Sequence, residues 1–139
     1  MAGNTYAQFL RFAVVGIIGF AVDAGILYVT LNIGFGPYIG RVISFVCAVI
    51  ATWQINRRFT FTQRKPISLW REWQQYFLAM SLGGVCNYAT YALALRLLPP
   101  DESAALLAVA AGSVAGMFVN FSSAKLWVFK PPSRTQNPQ

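Results

Sequence analysis

Four stretches of about 19 to 23 residues, each nearly free of charge, leave this chain few ways to fold. They cover residues 12–33, 37–55, 73–95 and 103–124, and the only charges inside them are Asp23 and Arg41. A helix of that length crosses about 30 Å of hydrocarbon. The expected fold class is therefore all-α integral membrane, with four transmembrane helices. Composition agrees: 56% of the 139 residues are hydrophobic and 11% are charged, against about a quarter charged in soluble domains. A soluble domain of this size must cover a large surface with polar groups, and this chain lacks them.

The first stretch follows Arg11, as a signal peptide's apolar core would follow a basic residue. It is too long for such a core and carries an acid at its centre, so it is expected to be retained. Gly34, Gly36 and Pro37 punctuate the first tight connection, and Pro99 and Pro100 the last. Asp101 and Glu102 then fall in the first turn of the fourth helix, where the helix dipole favours anions.

Basic residues give the orientation. Arg11, Arg57, Arg58, Arg64, Lys65, Arg71, Lys125, Lys130 and Arg134 lie on one side of a four-span arrangement, and only Arg41 and Arg96 on the other. Such bias predicts both termini and the central loop in the cytoplasm. Phe59, Phe61, Trp70, Trp73, Trp127 and Phe129 form the expected aromatic belt at that interface. The net charge of +7 would suggest nucleic-acid binding in a soluble protein. Clustered at the ends of apolar runs, it points instead to membrane lipids, and no nucleic-acid partner is expected.

The chain reads as a two-helix unit written twice. With Asp23 placed over Asn87, Gly19 falls on Gly83. Gly40, Ser44, Ala48, Thr52 and Asn56 recur every fourth residue in the second helix, as Ala108, Gly112, Gly116 and Asn120 do in the fourth. Small residues at this spacing let helices approach closely in lipid. The run Asn56, Arg57, Arg58, Phe59, Thr60, Phe61 is answered by Ala124, Lys125, Leu126, Trp127, Val128, Phe129. Two crossings per unit make the repeats parallel. Residues 1–139 are thus expected as one domain: repeat 1 over about 9–61, a linker over about 62–72, repeat 2 over about 73–130, and a disordered tail over 131–139. Within the linker Ser68 caps a short interfacial helix that puts Trp70, Trp73 and Phe77 on one face, and Tyr6, Phe9 and Arg11 make a similar ramp before the first span.

Asp23 is the most informative residue, since a carboxylate near mid-membrane costs at least about 2.5 kcal/mol. It is either a protonated acid bonded to a neighbouring helix, or a polar contact for a translocating substrate or proton. Asn87 and Asn120 divide between substrate contact and interhelical glue worth about 1 kcal/mol. Arg57, Arg58 and Lys125 form a cationic cluster that either snorkels to headgroups or holds a phosphate in arginine's planar fork. Arg41, set against the charge bias, either snorkels outward or holds an anionic headgroup on the external side. Glu72, like Asp101 and Glu102, is expected near water. Cys47 and Cys86 sit singly in apolar runs, as buried thiols do. With no histidine and one buried acid, no catalytic constellation, metal site or cofactor is implied, and the chain is not expected to be an enzyme.

Arg11, Gly16, Gly19 and Asp23 in the first span, with Asn56, Arg57, Arg58, Phe59, Thr60 and Phe61 after the second, resemble the GtrA-like family. Gly83, Gly84 and Asn87, with Asn120, Lys125, Trp127 and Phe129, extend the likeness over about residues 9–129. Ala124 and Lys125 depart from it, standing where the first half has Asn56 and Arg57. The resemblance implies a multi-pass protein of the bacterial inner membrane, proposed to flip a polyprenyl-phosphate-linked sugar for cell-surface polysaccharide synthesis or glycosylation. A membrane glycosyltransferase is the implied partner, and four short helices suggest a homo-oligomer. On that view Arg57, Arg58, Lys125, Arg11 and Arg41 serve the lipid phosphate, and Asp23, Asn87, Asn120 and Asn56 are the intramembrane polar groups. A non-transporting anchor or accessory subunit of a glycosyltransferase is the alternative. A small proton-coupled multidrug exporter fits less well, because the cytoplasmic cations repel a cationic drug.

Overall fold

The computed structural model describes residues 4–99 and 104–132, whose regular elements are all helices, with no strand among them. Helix α1 spans Thr5–Asn32, α2 Pro37–Ile55, α3 Leu69–Leu97 and α4 Ala104–Ser123. Helices α2 and α4 each run on into a five-residue π-helical turn, Asn56–Thr60 and Ala124–Val128. Four of these helical stretches are long and apolar enough to cross a membrane. The chain is a multi-pass membrane protein.

Local chemistry sets the ends. The Asn4 side chain accepts from the Tyr6 N–H at 3.1 Å and opens α1. After α1 the chain reverses at Gly34, whose φ of 94° only glycine adopts freely, and Pro37 then starts α2 where its missing N–H is harmless. Ser68 caps α3 by accepting from the Arg71 N–H at 3.4 Å. The helix it opens is not the short ramp expected, because nothing from Leu69 to Leu97 breaks it, and linker helix and span are one rod of 29 residues. Tyr6, Phe9 and Arg11 are likewise continuous with α1. Trp70, Trp73 and Phe77 do share a face: Trp70 stacks on Trp73 at 5.2 Å between centroids, and Phe77 meets Trp73 tilted at 5.6 Å. Pro100, Asp101, Glu102 and the tail beyond residue 132 lie outside the described residues.

The helices pack mainly as two pairs, α1 with α2 and α3 with α4. Between α3 and α4 the backbones nearly touch: a Cβ on Gly116 would lie 2.9 Å from the Gly83 carbonyl, and one on Gly112 2.6 Å from that of Asn87. Lipid supplies no hydrophobic force between helices, so such close van der Waals contact carries the association. The small-residue stripes face inward, with Ser44, Ala108 and Ala124 fully covered.

The pairs meet at one end, in a knot of Phe12, Trp53, Phe61, Tyr76, Phe121 and Phe129. Phe61 and Phe129 therefore do not join the interfacial belt. Each N–H bonds five residues back, to Asn56 and Ala124 at 2.8 Å, and this wider π turn accompanies their burial in the knot. Phe59, Trp70 and Trp127 stay exposed, as a belt requires.

Candidate functional site: a groove shared by four helices

Away from the aromatic knot, contact between the pairs is sparse. A cavity of about 630 Å³ lies there, walled by all four helices, a volume in the range of small-molecule sites. Its walls are largely apolar. Its polar groups are Asp23 from α1, Arg41 and Thr52 from α2, Asn87 from α3, and Ser113 and Asn120 from α4.

The groove brings together Asp23 and Arg41, which the sequence reading kept apart. Arg41 donates from its guanidinium to the Asp23 Oδ2, as an ion pair. By helical rise Asp23 lies about 14 Å from the end of α1, and Arg41 about 6 Å from the start of α2. The long arginine side chain spans the difference, reaching down into the groove rather than out to the surface. The Asp23 side chain is 16% exposed and that of Arg41 57%, so the cation is the accessible member. The second Asp23 oxygen, Oδ1, is buried without a partner. One acid and one base on neighbouring helices of a hairpin was the signal available for this pair.

Asn87 and Asn120 also line the groove, and both are wedged where α3 meets α4. The Asn120 Oδ1 sits against Gly83, and that of Asn87 lies 2.7 Å from where a Gly112 Cβ would be. The Asn120 Oδ1 is buried without a partner.

The remaining candidates lie at the opposite, basic end and do not converge. Their organiser is Glu72, which the sequence reading set near water and which is 1% exposed. Its carboxylate accepts from the Trp53 Nε1 at 3.1 Å, the Arg57 Nε at 2.7 Å and the Arg64 Nε at 3.3 Å. Arg64 also donates to the Arg57 and Phe61 carbonyls at 2.9 and 3.2 Å, clamping the first π turn. Glu72 is the lone acid among nine basic residues placed on that side, and this surplus was the clue that it must pair inward. Arg57 is thus already committed to a carboxylate and to the Trp53 ring, 5.9 Å below it. Asn56, 1% exposed, donates to the Tyr76 hydroxyl at 2.9 Å and bridges α2 to α3.

Arg11 donates to the Phe59 carbonyl at 3.2 Å, and Lys125 to the Thr5 hydroxyl at 2.6 Å. Arg58 is exposed and has no hydrogen-bond partner among the described residues. Cys47 and Cys86 are free and half-buried.

A comparison with curated proteins gives no match. The model of the GtrA/DPMS transmembrane domain matches residues 11–133, which takes in both helix pairs, both π turns and the groove between them. This chain belongs to the GtrA/DPMS transmembrane-domain family.

Proposed function

We propose that the protein moves a polyprenyl-phosphate-linked sugar from the cytoplasmic to the outer leaflet of a bacterial inner membrane, for cell-surface polysaccharide synthesis or glycosylation. The observation that carries this reading is the Asp23–Arg41 pair in a groove walled by all four helices. Such a cargo has an apolar tail that stays in lipid and a phosphate and sugar that cross slowly unaided. Arg41 offers the phosphate a planar fork of donors. Asp23, Asn87 and Asn120 offer acceptors and amide donors to sugar hydroxyls.

The basic end then faces the cytoplasm, with both termini, because positive charge is retained on that side. There Arg58, Arg11 and Lys125 attract the anionic cargo, while Arg57, held by Glu72, shapes the entry. The two helix pairs act as parallel repeats in one domain. In favour of this, Gly19 meets Thr52 as Gly83 meets Asn120, and both pairs end in π turns. The protein works as a homo-oligomer, or beside the membrane glycosyltransferase that makes its cargo, and it is a transporter rather than an enzyme. Net flow runs down the gradient that downstream use of the sugar maintains. A multidrug exporter is disfavoured because its one buried acid would await a cationic drug, whereas Asp23 already holds Arg41.

The test is reconstitution. Liposomes containing the pure protein should expose a labelled polyprenyl-phosphate glucose to the opposite leaflet faster than empty liposomes. Exchange no faster than in empty liposomes, with or without a partner glycosyltransferase, would leave only the anchoring role.

A further inference from the structure

Among the described residues lining the groove, Arg41 is the only cation and Asp23 the only carboxylate, and each is the other's partner. An arriving phosphate therefore meets an arginine that already holds an anion. We infer that Asp23 stands in for the cargo's phosphate while the groove is empty, and that its displacement makes the site selective for prenyl phosphodiesters whose phosphate carries a sugar. The inference rests on the translocation proposed above and adds what the site selects: among prenyl phosphodiesters, those whose phosphate bears sugar hydroxyls.

When a phosphate takes Arg41, Asp23 loses its charge partner. Its Oδ1 is already without one. The other polar side chains of the groove, Thr52, Asn87, Ser113 and Asn120, are uncharged. A carboxylate left bare at membrane depth is expensive. An ionised carboxylate only accepts hydrogen bonds, and sugar hydroxyls donate them. A sugar joined directly to the phosphate delivers such donors within a few ångströms of the atom just displaced. A phosphodiester of the same charge with no sugar hydroxyls displaces the same carboxylate and offers it no donor in return. One hydrogen bond to a charged group corresponds to a preference of about tenfold to a little over a hundredfold.

The test measures binding to the protein in lipid nanodiscs with three farnesyl phosphodiesters of equal single charge. One carries glucose, one carries per-O-methylated glucose, and one carries a methyl group only. Wild type should bind the glucose diester about tenfold or more tighter than the other two, which should resemble each other. Asp23→Asn removes the internal competitor, so the methyl diester should bind several-fold tighter than to wild type, and the preference for glucose should shrink below about threefold. Arg41→Gln should weaken all three alike. Equal binding of all three by wild type overturns the inference and leaves translocation standing, as does an unchanged preference in Asp23→Asn. Failure of wild type to bind any of the three overturns the translocation reading and the inference with it. The ranking of the three by wild type decides the matter even if a variant does not fold.

Discussion

The rings of Phe61 and Phe129 stack nearly parallel, 4.8 Å apart at an interplanar angle of 14°, at matching places in the two helix pairs. Each donates its N–H five residues back, so each arrives in the knot by the same widened turn. The stack is one part of the seam between the pairs, beside the Phe12–Phe121 and Phe45–Phe77 ring contacts and the Asn56–Tyr76 and Glu72 hydrogen bonds. Replacing either ring by alanine should lower stability in detergent by about 1–3 kcal/mol, because lipid-facing proteins lose packing rather than water transfer. A thermal-melt double-mutant cycle should give a coupling of about 0.5–1.5 kcal/mol between the two. Strictly additive losses would mean that the rings merely touch.

Glu72 makes a second prediction. Its carboxylate holds Arg57, Arg64 and Trp53 while itself almost wholly covered. Glu72→Ala leaves two arginines without their counter-charge, and should cost about 3 kcal/mol or more. Arg58→Gln, at an exposed side chain, should shift stability by less than about 0.5 kcal/mol. Thermal unfolding of the two variants in one detergent checks the contrast, and equal losses would refute the network.

Neighbouring glycines supply a third. Gly83 packs against the Asn120 side chain, while a Cβ on Gly84 would meet nothing within 4 Å. Gly83→Ala should therefore destabilise by about 1–3 kcal/mol through overpacking of α3 on α4. Gly84→Ala should be neutral, or slightly stabilising through helix propensity. The same melting assay tells these apart, and indistinguishable variants would contradict the pairing of α3 with α4.

Much of this was legible from the chain. Uncharged length alone marked the four spans, since no shorter segment crosses hydrocarbon, and Gly34 and Pro37 marked the first reversal. The stripe through Gly40, Ser44, Ala48 and Asn56 was readable as an inward face, because small residues gain by contact only where helices approach. The pairing of polar groups was not. Arg41 looks like an outward cation when its height is taken from its Cα, while its side chain bridges a depth difference of about one and a half helical turns to pair with Asp23. Glu72 looked solvated because it opens a helix near a basic loop, and the surrounding arginines and Trp53 fold over it instead. Phe61 and Phe129 looked interfacial because a π turn leaves no periodic trace in a five-residue run.

Topology gives a fourth prediction. A reporter active only in the cytoplasm should be active when fused after residue 132, and inactive when inserted near Asp101, on the strength of the basic-residue bias. Activity at both sites would require an even number of crossings between them, where the four-span account has one, α4, and would end that account.

The most direct test of the groove is the rate at which labelled polyprenyl-phosphate glucose changes leaflet in proteoliposomes containing wild type or Arg41→Gln. Glutamine keeps much of the side chain's length and polarity but loses the charge and the forked donors, so exchange should fall at least about tenfold. Circular dichroism and gel filtration confirm that the variant reaching the liposome is folded. A folded Arg41→Gln protein that exchanges the lipid as fast as wild type would contradict the claim that the Asp23–Arg41 groove carries the cargo.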